Sequence, residues 1–273
     1  MKRFLFMCLA VAVFSTGFSQ DEKKDTLRIG SITIIKKAGN KDHDTITEDK
    51  KYEIPNRKRK PENVSTNWWI VDLGYTGFND NSIYGPNTAA DQFAPGSNED
   101  WFDLRAGKSR NVNIWFFMQR LNMISHVVNL KYGVGLELNN YRFDDERIRF
   151  QKNPTLISLD NTLKEARKNK LAVDYLTVPL MLNFNFTPEL KKGFGFSAGM
   201  SAGYLYSARQ KTKVGDDKDK LHNDFDLKRW KLSYVGELLL GPVKLYGSCA
   251  LDNMWDKGLD QTPYTVGFRL SNW

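Results

Sequence analysis

Residues 194–206 read Phe-Gly-Phe-Ser-Ala-Gly-Met-Ser-Ala-Gly-Tyr-Leu-Tyr, an alternation that a β-strand converts into two unlike faces. Phe194, Phe196, Ala198, Met200, Ala202, Tyr204 and Tyr206 fall on one face. Gly195, Ser197, Gly199, Ser201 and Gly203 fall on the other, which only Leu205 interrupts. A strand in a soluble sheet is commonly about 5–6 residues long, whereas a tilted strand needs about 9–11 to cross a bilayer. The apolar face here is long enough to cross. Its small, polar counterpart suits the inside of a narrow barrel.

Seven further segments alternate in the same way: 69–76, 111–119, 128–139, 176–186, 230–240, 243–252 and 264–271. In the second strand the pattern points Val112, Ile114, Phe116 and Met118 outward, and Asn111, Asn113, Trp115, Phe117 and Gln119 inward. Any half-buried strand alternates, so one segment says little, but eight in succession define an architecture. The connections agree. Asn79–Arg110, Phe143–Lys170 and Ala208–Asp226 are long and polar, while Arg120–His126, Thr187–Gly193 and Gly241-Pro242 are short. Asp256–Gln261 is a modest last loop. Alternating long and short connections are those of an outer-membrane barrel with both chain ends in the periplasm. Trp69, Tyr75, Phe184, Phe186, Tyr204, Tyr206, Trp230, Tyr264 and Trp273 lie near strand ends, where interfacial aromatic girdles form. The fold class expected is all-β: an eight-stranded antiparallel up-and-down transmembrane β-barrel with a mostly irregular N-terminal extension, in the bacterial outer membrane.

The N-terminus fits that address. Lys2 and Arg3 precede the apolar stretch Phe4–Phe14, which is too short to span a bilayer, and Gly17 and Ser19 are small residues before a cut at Gln20. This divides the chain into a signal peptide (1–19), a periplasmic N-terminal extension (20–66) and a barrel (67–273). Cys8 leaves with the signal peptide, so Cys249 has no intramolecular disulfide partner. Leu27–Ile35 is expected to form one short strand; Lys36–Glu62 is charged, poor in aromatics and without a period. Its run Arg57-Lys58-Arg59-Lys60 would suggest a nuclear signal in a cytosolic protein, a reading that a signal peptide excludes. Beside the first barrel strand it would meet anionic headgroups, at about 1 kcal/mol per basic residue. The net charge of +8, two units of which leave with Lys2 and Arg3, is spread over the loops and does not indicate nucleic acid.

Several landmarks resemble one family. They are Asp25-Thr26-Leu27-Arg28-Ile29-Gly30, Asn67-Trp68-Trp69 leading into Asp72-Leu73-Gly74, and Gly107-Lys108-Ser109. Tyr175-Leu176-Thr177-Val178-Pro179-Leu180 and the ending Pro263–Leu270 belong to the same set. Together they are similar to the porin-like outer membrane β-barrel proteins of the Bacteroidota, some of which are linked to type IX secretion. The resemblance covers nearly the whole mature chain and implies a barrel, not a reaction. The last strand, with Tyr264, Val266, Gly267, Phe268 and Leu270, resembles the signal read by the barrel assembly machinery. Trp273 stands one position out of phase with Phe268 and Leu270.

Chemistry is sparse. His43, His126 and His222 fall in the extension, a periplasmic turn and an outer loop, so they cannot converge on a metal. His222, Ser207 and Asp224 could be assembled into a lipid-A-modifying site at the outer rim, but no nucleophile motif accompanies them. Asp216-Asp217-Lys218-Asp219-Lys220 lacks the ligand spacing of a calcium loop. The lumen carries more information. Asp72, Glu137, Glu237 and Asp252 point inward, as do Lys131, Lys231, Lys244 and Arg269. An eight-stranded interior is just wide enough for side chains to fill, and buried charges there must be paired. The expectation is an ion-paired plug and no enzyme, cofactor or metal. The role is then structural or interactive, through the outer loops and the extension. Its partners are outer-membrane lipid and lipopolysaccharide, the assembly machinery, and an envelope or secretion protein. A narrow channel for small solutes is the alternative, and a lipid-A-modifying enzyme the second.

Overall fold

The computed structural model describes residues 26–29, 32–35, 61–190 and 193–271. The signal peptide, the run Arg57, Lys58, Arg59, Lys60, and Trp273 lie outside the described residues. The described residues divide into two units, one within residues 1–53 and the other within 54–273. In the first, β1 (Thr26–Ile29) pairs antiparallel with β2 (Ile32–Ile35), Thr26 opposite Ile35. Two strands therefore replace the single one expected over Leu27–Ile35. The sequence between them is Gly30-Ser31, a two-residue hairpin signal.

The second unit is the barrel. Its wall strands are β3 (Val64–Asp80), β4 (Arg110–Ile124), β5 (Val128–Arg142), β8 (Ala166–Asn185), β9 (Phe194–Val214), β11 (Trp230–Leu240), β12 (Val243–Ala250) and β13 (Gln261–Leu270). Each pairs antiparallel with the next around the ring, β13 returns to β3, and the eight close without an edge. A closed ring satisfies every backbone ladder internally, the condition for a sheet to cross hydrocarbon. Connections at one end are the turns 125–127, 186–193 and Gly241-Pro242, the last with Gly241 at φ +67°. The other end carries 81–109 with helix α1 (Ala89–Phe93), 143–165 with the hairpin β6 (Ile148–Phe150) and β7 (Ile157–Leu159), and 251–260. It also carries β10 (Asp217–His222), which folds back on β9. The segment Ala208–Asp226, expected as a loop, is thus largely strand.

The outer wall is apolar. Leu176, Val178, Leu180 and Leu182 are exposed between buried Thr177, Met181 and Asn183, and Leu232, Tyr234, Leu238, Val266, Phe268 and Leu270 continue the belt. A soluble monomer seldom exposes more than a few hundred Å² of contiguous apolar surface. Trp68, Trp69 and Phe186 stand exposed toward the short-turn end, while Tyr204 packs edge-on to Trp230, 5.0 Å between ring centroids, toward the long-loop end.

Two irregularities reset the alternation. The β4–β5 register slips between Trp115 and Phe117, opposite Trp69 at φ +54°. Phe116 is the extra residue, so Phe117 turns outward against Trp68 and Met118 is fully buried inside, the reverse of the strict alternation. In β9 the pairing skips Tyr206, which leaves Leu205, Ala208 and Gln210 all facing in.

Leu205 marks where the bore turns from polar to apolar. Around and beyond it, Tyr141, Leu171, Val173 and Tyr175 of the wall pack against residues sent in by the long loops: Phe93, Phe102, Phe143, Phe150, Phe225 and Trp255. Phe93 lies 5.4 Å and edge-on from Trp255, and Phe150 lies 5.2 Å from Phe225. Trp255 Nε1 donates to Gln261 Oε1 at 2.9 Å, Gln261 Nε2 to Asp80 Oδ2 at 2.8 Å, and Tyr84 OH to the same oxygen at 2.8 Å. Burial, reinforced by Asp80, pushes the Tyr84 phenol well above its usual range. The long loops thus close the mouth with an aromatic core. Trp255→Ala should cost about 3–5 kcal/mol, as large-to-small core changes do. The expected result is a lower midpoint for the heat-driven loss of the fast-migrating folded band in SDS gels; an unchanged midpoint would mean the loops do not pack as a core.

Candidate functional site

Below this core, six charged side chains from four strands meet in the bore. Arg269 clamps Asp72 in a bidentate pair, Nε to Oδ1 and Nη2 to Oδ2, both at 2.7 Å. Its remaining Nη1 donates to Glu237 Oε1. The other oxygen of Glu237 accepts from Lys131, and Glu137 accepts from Lys231. All six are at most 8 % exposed.

Neutral groups take the remaining valences. Trp115 Nε1 donates to Asp72 Oδ2 at 2.7 Å, and Arg269 lies over the Trp115 ring at 5.6 Å. Asn113 Nδ2 reaches Asp72 at 3.2 Å; Asn111 bridges Asn113 and Asn139 at 2.9 Å each; Asn139 donates to Glu137 at 3.0 Å. Lys231 sits 4.7 Å above the Tyr175 ring, which joins the ionic layer to the aromatic core. Tyr246 donates to Asn111 by crossing Gly74 and Gly267, which face each other across β3 and β13. A Cβ at Gly74 would stand 2.5 Å from the Tyr246 hydroxyl, so only glycine leaves that passage. On the short-turn side Ile70, Met118 and Met181 pack with Trp115. The space left beside Glu237 and Arg269 is about 30 Å³, enough for one or two waters.

Two of the eight expected lumen residues lie outside this charged layer. Lys244 stands near the short-turn rim and donates to Ser271 O at 2.6 Å and Oγ at 2.8 Å. Asp252 lies beyond the end of β12 at Ala250; in the loop it pairs with Lys228 at 2.5 Å, and that ammonium holds its carboxyl below the usual range. A pattern extended past a strand end does not keep its face.

The other candidates are also placed. Tyr264, Val266, Gly267, Phe268 and Leu270 lie on β13, with Val266, Phe268 and Leu270 exposed on the wall. His126 sits in the turn before β5, and His43 lies outside the described residues. Ser207, His222 and Asp224 line one outer cleft of about 650 Å³ with Tyr204, Tyr206 and Arg229. There Ser207 Oγ accepts from Arg209 at 2.8 Å, and Arg209 also pairs with Asp174. Among the described residues no cluster of His, Cys, Asp and Glu could hold a metal ion.

The alternation turns Trp115, Tyr246 and the three asparagines inward but does not tie them to the charged residues. Their signal is a polar or hydrogen-bonding residue in the inward phase, with Asn111, Trp115 and Tyr246 each opposite a glycine (Gly74, Gly135 and Gly267).

A closed ring with an apolar outer belt and a charged interior defines an integral outer-membrane β-barrel. Residues 73–243 match the family described as outer membrane protein beta-barrel domain, and the chain belongs to that family. No curated protein matches it significantly.

Glu237→Gln would leave Lys131 and Arg269 short of an acid. It should destabilise the barrel by about 3–5 kcal/mol, against at most about 1 for Asp217→Asn on exposed β10. Replacing Lys131 and Glu237 together by Met and Leu should recover much of the loss. Equal gel-shift midpoints for the two single variants would mean the bore is wet.

Proposed function

We propose that this protein is a non-conducting outer-membrane barrel with an envelope-structural or interaction role. The outer segments 79–110 and 208–226 carry it, and residues 20–66 act on the periplasmic side. The observation behind this reading is the doubly filled bore: an ionic layer of three acids and three bases, then an aromatic core contributed by the loops. Water-filled porins use about 16–18 strands, whereas eight enclose little more than their own side chains. With the wall in lipid and the lumen filled, the long segments are the large surfaces left, and loops on a rigid scaffold are where binding resides.

In finer terms we place the chain among Bacteroidota barrels similar to those associated with type IX secretion, on the motifs that carry that resemblance. Its partners in this reading are outer-leaflet lipid, the assembly machinery that reads the last strand, and an envelope or secretion protein. No catalysis is proposed: in the outer cleft a guanidinium, not a base, holds the Ser207 hydroxyl.

Purified protein in planar bilayers should give conductance near background, and chemical crosslinking should capture partners through the outer segments. Steady, size-selective conductance would favour a channel instead. Removal of acyl chains from lipid A, lost on His222→Ala, would favour an enzyme.

A further inference from the structure

Beyond the lipid belt, β8, β9 and β10 carry an arrangement that folding alone does not account for. The register sets Lys170 opposite Lys211 and Lys211 opposite Lys220. One step further out, Lys168 faces Lys213 and Lys213 faces Lys218. Directly opposed side chains lie about 5 Å apart, and like charges there are destabilising. These six share the outward face, because the residues alternating with them turn inward: Asn169, Leu171 and Gln210 are buried, and Leu221 packs on the aromatic core.

Acids are outnumbered on this face. Asp217 and Asp219 alternate with Lys218 and Lys220, so the pleat puts them on the other side of β10. Asp174 is taken by Arg209, and Asp216 stands in solvent 3.5 Å from Lys213. Lys170 also donates to Asn140, which orients the ammonium without neutralising it. Tyr204, Tyr206 and Trp230 are exposed on the wall just inside these rows. Lys211 stands five positions beyond Tyr206, which at the usual rise and tilt lifts the first row ~12 Å above the aromatic belt. That is headgroup height.

We propose that this lysine face binds the phosphate groups of the outer leaflet's glycolipid, the lipid A headgroup. Tyr204 and Trp230 lie against the acyl chains, and the two lysine rows neutralise the phosphates above them. The proposal rests on the reading of 208–226 as an interacting segment and names its partner. Opposed like charges then become a charge-complementary site, each basic residue near an anionic surface being worth about 1 kcal/mol.

The test titrates the folded full-length mature protein, in detergent micelles, with bisphosphorylated lipid A under native mass spectrometry. The same lipid freed of phosphate, and inorganic phosphate alone, are the comparison ligands. Lys170→Gln, Lys211→Gln and Lys220→Gln together should weaken lipid A binding on the order of a hundredfold. Lys228→Gln with Lys257→Gln, on other outer loops, should leave it unchanged. The triple variant should melt no lower than wild type, because opposed like charges have been removed; a lower midpoint would make the rows structural and overturn the proposal. Equal binding of phosphate-free lipid, or unchanged binding by the triple variant, would overturn it too. Displacement of lipid A by millimolar inorganic phosphate would indicate a general anion site and overturn the glycolipid assignment. Lipid A binding together with steady conductance would sink the closed-bore reading alone, and absent binding with background conductance would sink this inference alone.

Discussion

Glu237 accepts from Lys131 on one carboxylate oxygen and from Arg269 on the other, and the rest of the barrel is arranged around that shared acid. Because Arg269 holds Asp72 at the same time, one continuous contact joins β3, β5, β11 and β13 across the bore. A single buried charge without a partner would cost several kcal/mol, so such a set survives only near neutrality. Three acids meet three bases here, and each carboxylate also receives a neutral donor: Trp115 for Asp72, Asn139 for Glu137, and Ser197 for Glu237 at 3.3 Å. The set binds strands that are far apart around the ring, which local hairpin pairing cannot do.

The aromatic core serves the same end by another force. Its residues come from four separate connections, so it forms only once the wall has brought the long loops to one mouth. The wall supplies its floor through Tyr141, Leu171, Val173, Tyr175 and Leu205, and Lys231 over Tyr175 couples floor to ion pairs. Outside, the wall meets hydrocarbon and needs no specificity. What distinguishes this chain from a generic barrel is therefore at the extracellular rim, where the lysine rows, the outer cleft and the loop surfaces lie.

Much of this was legible in the sequence because a strand writes its environment with a period of two. The eight strands, their order, the loop asymmetry and the inward phase of Asp72, Lys131, Glu137, Lys231, Glu237 and Arg269 all follow from that period. It fails where a residue is inserted or the strand stops. The bulge at Phe116 reverses Phe117 and Met118. Asp252 was carried past the end of β12, and Lys244 has the inward phase but stands near the rim instead of in the layer. The aromatic core left no signal of this kind. Phe93, Phe150, Phe225 and Trp255 are single residues in polar segments, and only tertiary contact makes them a group. The lysine face was equally hidden, since 216–220 reads as mixed charge until β10 is known to be pleated.

The bore is filled and closed to solvent exchange, and the accessibility of one lumen position tests that directly. Ser201 is buried and lines the small space beside Glu237, and Cys249, an exposed free thiol, can be removed as Cys249→Ser. On that background, Ser201→Cys should resist a charged, membrane-impermeant thiol reagent in the folded barrel and react fully after heating in SDS. Rapid labelling of the folded barrel, from either side, would show an open bore instead.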